Sequence, residues 1–98
     1  MPFEKTYKVT SLRHPDKVYT STDEFWADCE PEITGAANAN EAFRKNGRII
    51  SLSTTLDADG LSLTYVKTYF DEEAYNEHLA EHASEIAENL TVCTFTEI

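Results

Sequence analysis

Several common chemistries are excluded by what this chain lacks. It has two cysteines, Cys29 and Cys93, too few for a disulfide scaffold or a zinc ribbon. Neither sits beside a basic residue, so a nucleophilic thiol is not expected. Its three glycines, Gly35, Gly47 and Gly60, are isolated, which rules out a glycine-rich phosphate loop. No run approaches the ~20 apolar residues of a membrane span, and Met1-Pro2-Phe3-Glu4-Lys5 opens no signal peptide. The expected address is therefore the cytoplasm, with no membrane partner. Basic residues are few as well: 8 Lys and Arg stand against 18 Asp and Glu, a net charge of −10. An excess of that sign repels nucleic acid, and no nucleic-acid partner is expected.

What remains is the material of one small domain. The chain has 98 residues, of which 41% are hydrophobic and 11% aromatic, enough apolar mass for a core and too much for a disordered acidic tail. The charge falls in blocks. It is +2 over residues 1–20, −6 over 21–43, +2 over 44–70 and −8 over 71–98. The acidic blocks coincide with the segments whose pattern reads as helical.

Residues 3–12 alternate Phe3, Tyr7 and Val9 with polar side chains, the period of a strand. Arg13-His14-Pro15-Asp16-Lys17 breaks it as a turn, and Val18-Tyr19-Thr20 extends the sheet briefly. Thr22, followed by Asp23 and Glu24, caps a helix. Phe25, Cys29, Ile33, Ala36 and Phe43 lie near one face of the run over 22–46. Pro31 splits that run into a short helix and a second one with Pro31 in its first turn. Asn46-Gly47 ends it.

Residues 48–57 and 61–69 form a hairpin around Asp59-Gly60. Ile50, Leu52 and Leu56 share a face of its first strand, and Leu61, Leu63, Tyr65 and Tyr69 share a face of its second. A helix over 71–89 follows, with Asp71 as N-cap and Phe70 packed on Tyr75 as a hydrophobic staple. Its core face is Tyr75, Leu79, His82 and Ile86, and its outer row is Glu77, Glu81, Glu85 and Glu88. Residues 90–98 form a last strand.

The order β-α-β-β-α-β predicts an α+β, ferredoxin-like fold with a four-stranded antiparallel sheet covered by helices on one face. At this length no residues remain to cover the other face, so a homodimer is expected through it. His78, Tyr65, Tyr69 and Trp26 are candidates to line an aromatic pocket between sheet and helices. His78 and His82 lie one helical turn apart, but the candidate third ligands, Glu81 and His14, are not singled out by any spacing and no metal is expected.

The stretch Tyr65-Val66-Lys67-Thr68-Tyr69-Phe70-Asp71-Glu72-Glu73-Ala74-Tyr75-Asn76-Glu77-His78-Leu79-Ala80-Glu81-His82 resembles the strand-to-helix signature of the antibiotic biosynthesis monooxygenase-like family. Tyr69 stands where that family often has Trp, Ala74-Tyr75 match its Ala-aromatic pair, and His78 and His82 match its histidines. The resemblance implies a dimeric α+β barrel with one pocket per subunit for a small aromatic or hydrophobic molecule. It also implies cofactor-free oxidation of a phenol, with His78 as catalytic base, Tyr65 and Tyr69 orienting the ring, Trp26 walling the pocket, and His82 as a further binding residue. Haem cleavage, known in one branch, does not fit, since the first strand has no Asn and the only Trp is Trp26. The alternative is a non-catalytic protein that binds a basic partner through the acidic faces of its helices.

Overall fold

Period-two alternation builds the sheet. In the computed structural model, which covers residues 1–98, four strands form an antiparallel sheet in the order β2-β3-β1-β4. They are β1 (Phe3–Ser11), β2 (Ile49–Leu56), β3 (Ser62–Tyr69) and β4 (Cys93–Glu97). Four helices complete the α+β fold: α1 (Thr22–Ala27), α2 (Thr34–Lys45), α3 (Glu72–Glu81) and α4 (Ala83–Asn89). None is long and apolar enough to cross a membrane.

The helices pack on the sheet face that carries Leu63, Tyr65, Lys67 and Tyr69 of β3. Strand β1 adds Val9 opposite Leu63 and Phe3 opposite Tyr69. Two apolar clusters form there. One gathers Val9, Tyr19, Phe25, Cys29, Leu63, Tyr65, Val92 and Cys93, and the other Phe43, Ile49, Tyr69 and Ala74. Each large side chain removed from water contributes roughly 1.5–3 kcal/mol. Both thiols are fully buried and free, which suits small core residues.

The predicted elements are all present, with differences that have physical causes. The run over 22–46 is two helices as expected, but Pro31 lies in the turn between them rather than in the first turn of α2. The cap of α1 is Ser21, whose hydroxyl accepts from the Glu24 N–H at 3.1 Å, one residue before the predicted Thr22. Val18-Tyr19-Thr20 adds no strand. Tyr19 instead turns inward and its N–H donates to the Gly60 carbonyl at 2.7 Å.

A bulge between Ile49 and Ser51 reverses the alternation at the start of β2. Ile49 is buried, and Ile50, predicted to face inward, is 53% exposed. Leu61 precedes β3 and is also exposed.

The helix predicted over 71–89 bends at His82 into α3 and α4. Asp71 caps it as expected, accepting from the Ala74 N–H at 2.8 Å. No Gly or Pro marks the bend. It brings the His82 ring against Phe43 and His78, at 5.5 Å between centroids in each case. The buried positions are therefore Ala74, His78 and Asn89, while Tyr75, His82 and Ile86 are half-buried and Leu79 is exposed. The predicted staple is replaced: Tyr75 packs on Phe3 and Tyr69, and Phe70 lies outside beneath the Arg48 guanidinium.

The opposite face of the sheet carries Thr6, Lys8 and Thr10 of β1, Thr64, Val66 and Thr68 of β3, and Thr94 and Thr96 of β4. Val66 is the single apolar side chain among them, and Ile50, turned outward at the β2 bulge, adds a second. Hydroxyl-bearing side chains thus dominate the face that the helices leave open.

Candidate functional site

Strand β3 sets the geometry of the site. Its inward residues Tyr65, Lys67 and Tyr69 follow one another at two-residue spacing, with Tyr65 in the first apolar cluster and Tyr69 in the second. Between the clusters, over Lys67, the sheet and helices do not close. They leave a cavity of about 650 Å³, the only one in the protein. Trp26 of α1, Asn40 of α2, and His78 of α3 reach its wall, together with Leu52 of β2 and Asn89 of α4. The exposed side chains Leu79 and Leu90 belong to the same lining and mark its mouth.

The expected pocket residues thus come together. Trp26, Tyr65, Tyr69 and His78 all line the cavity, and Trp26 meets Tyr65 edge to face at 6.1 Å between centroids. His82 does not line it. Its ring stands behind His78, and its Nδ1 is 3.6 Å from a carboxylate oxygen of Glu85.

Two polar chains cross the wall. In the first, the Tyr69 hydroxyl and Nδ1 of His78 are 2.8 Å apart. Burial, with a smaller effect from Lys67, pulls the His78 pKa from its ordinary 6.5 to about 4, and burial raises that of the Tyr69 phenol. At neutral pH both groups are uncharged, so Tyr69 donates and His78 accepts, which leaves the imidazole proton on Nε2. In the second chain, Lys67 Nζ donates to Asn40 Oδ1 at 3.0 Å, and Asn40 Nδ2 donates to the Tyr65 hydroxyl at 3.3 Å. The ammonium lies 5.5 Å from the ring centroids of both Tyr65 and Tyr69. Burial alone lowers the Lys67 pKa from 10.5 to about 8.

Lys67 and Asn40 are the members that the sequence reading missed. The signal for Lys67 was present, since residue 67 falls midway between Tyr65 and Tyr69 and must share their face. Lysine in a strand is ordinarily assigned to solvent, and that habit hid it. Asn40 had no comparable signal, because its role depends on how α2 crosses β3.

The outer carboxylates are only partly free. Glu77 pairs with Arg48 at 2.7 Å, and Glu85 accepts from the Ser84 hydroxyl and faces His82, whereas Glu81 and Glu88 stand in solvent without partners. No three His, Cys, Asp or Glu side chains converge to hold a metal ion. No family model, curated protein or solved structure matches the chain.

Proposed function

We propose that this protein binds a small aromatic molecule in the cavity between its sheet and its helices. The observation that carries the proposal is the cavity itself. Its lining is mostly apolar, with aromatic rings from four elements, and among its polar groups Lys67, Asn40 and Tyr65 are joined by hydrogen bonds. That composition suits a planar ring that is held by stacking and oriented by hydrogen bonds.

The same reading takes the subunit as ferredoxin-like, supported by the strand order β2-β3-β1-β4 and by helices on one face. It keeps the homodimer that the resemblance implies, with the threonine-rich sheet face as the contact. A solution mass of twice 11.1 kDa supports that dimer, and a mass of 11.1 kDa overturns it.

Cofactor-free oxidation of a phenol is the chemistry that the resemblance implies, and the cavity offers a ring slot beside an uncharged imidazole. As a base, however, His78 is weak, since burial lowers its proton affinity and Tyr69 occupies its Nδ1 lone pair. Binding and orientation are thus better supported than proton abstraction.

Trp26 is the only tryptophan, and it lines the cavity, so its fluorescence reports occupancy. Titration with 2-naphthol should quench it saturably. A titration to the solubility limit that leaves the fluorescence unchanged and releases no heat would remove the binding function. Oxygen uptake with the same phenol tests oxidation, and His78→Ala should abolish any uptake that depends on that ring.

The acidic-surface alternative has weaker support, because Arg48 already engages Glu77, and Ser84 and His82 engage Glu85. Retention on a basic protein matrix that vanishes with modest salt would favour it.

A further inference from the structure

Of the eight basic side chains, Lys5, Arg13, Lys17, Arg44 and Arg48 each pair with a carboxylate. Lys8 and Lys45 are exposed to water. Lys67 is different from both groups. It is 9% exposed, and no carboxylate stands within ion-pair distance of it in a chain with more than twice as many acids as bases. An ammonium has three N–H donors. Asn40 takes one, and the remaining two have no oxygen or nitrogen partner.

A buried cation that lacks a counter-charge is costly unless something completes it. The Tyr65 and Tyr69 rings give partial compensation through their faces. The groups around Lys67 add no negative charge. Lys5 lies directly across the β1–β3 pair and is neutralised by Glu97. Tyr65, Tyr69 and His78 are uncharged at neutral pH, and Asn40 is an amide. Lys67 nevertheless lies on the wall of the cavity, where a ligand can reach it. Asn89 of α4 also contributes to the lining, and its side-chain oxygen is buried with no hydrogen-bond partner.

We infer that the ligand of this cavity is an aromatic oxyanion, a carboxylate or an ionised phenol, whose negative oxygen sits on the ammonium of Lys67. The inference rests on the reading that the cavity binds a small aromatic molecule. A single oxyanion oxygen or a carboxylate edge meets the two open N–H groups, and the tyrosine rings on either side leave the ligand ring an apolar bed. Asn40, through both ends of its amide, fixes the ammonium and the Tyr65 hydroxyl relative to one another.

The test compares 2-naphthoate with 2-naphthamide, two ligands of nearly equal shape that differ in charge, at neutral pH by Trp26 fluorescence and calorimetry. The wild type should bind the acid at least about tenfold more tightly than the amide, the scale of one charge-assisted hydrogen bond. Lys67→Met should lose that preference and keep its affinity for the amide. Lys67→Gln, which retains a donor for Asn40, gives the same comparison if the methionine variant does not fold. Equal affinity of the wild type for acid and amide, or an undiminished preference in both variants, overturns the inference and leaves the cavity reading standing. Binding of neither ligand overturns the cavity reading, and the oxyanion inference with it.

Discussion

Tyr69 of β3 and His78 of α3 share a hydrogen bond of 2.8 Å in which the phenol donates to Nδ1 of a neutral imidazole. The bond ties the sheet to the helix that follows it and selects one tautomer of His78. Removing the hydroxyl leaves a buried ring nitrogen without a donor. Tyr69→Phe should therefore cost about 1–2 kcal/mol of stability and change the imidazole nitrogen shifts. A variant as stable as the wild type, with unchanged shifts, would show that the bond contributes nothing.

Acid should weaken the fold earlier than its carboxylates alone would. The His78 pKa is 6.5 when exposed and about 4 in the fold, so between those values the unfolded chain binds a proton that the native state refuses. The contribution of His78 is thus complete above pH 6.5 and falls as the pH drops toward 4. About 2 kcal/mol should be lost by pH 5. Asp57, held down by the Ser62 and Thr64 hydroxyls, loses its contribution only at lower pH. Denaturant melts at a series of pH values check the slope, which should flatten between pH 6.5 and 5 in His78→Gln.

Lys67→Met should make the protein more stable, because it removes a buried charge that has no counter-ion. A gain of about 1–3 kcal/mol at neutral pH is expected, reduced by the lost bond to Asn40. In the wild type, stability should rise with pH between about 8, the Lys67 value in the fold, and 10.5, its ordinary value, as the native state releases the proton first. The methionine variant should show no such rise in its urea midpoints.

Gly60→Ala should destabilise the hairpin by about 1–3 kcal/mol. Gly60 has φ of +71°, and a Cβ there would meet Val18 Cγ1 at 2.7 Å and the Tyr19 carbonyl oxygen at 2.9 Å. The valine tip can move aside. The carbonyl cannot, because it is backbone next to the N–H that bonds Gly60 at 2.7 Å. A shifted thermal midpoint, against an unchanged one for Ala58→Gly, checks this.

The parts of this molecule that were legible in its sequence are those set by local rules. Asp59-Gly60 announced the hairpin, Asp71 announced the start of α3, and Gly47, with φ of +74°, marked the end of α2. Four of the five site residues read from the sequence line the cavity, because strand alternation fixes Tyr65 and Tyr69 and helical order brings His78 and Trp26 to them. The rest depends on packing that no short pattern encodes. The bulge that turns Ile50 outward, the bend at His82 and the meeting of Asn40 with Lys67 all come from how elements settle on one another. Lys67 itself was hidden by its residue type and not by its position.

Asn40 differs from aspartate by one heavy atom, and that atom decides whether Lys67 has a counter-ion. With an amide, α2 lends Lys67 an acceptor but no charge, and its NH₂ end stays committed to Tyr65. Asn40→Asp would supply an internal counter-ion at the same 3.0 Å, saturate the lysine from within and release the tyrosine. On the oxyanion inference, the pocket of this variant should keep its volume and its rings yet bind naphthoate no better than naphthamide. If the cavity takes an oxyanion, its electrical selectivity would thus be set from a helix that crosses above the lysine, at a position that its shape alone would not single out.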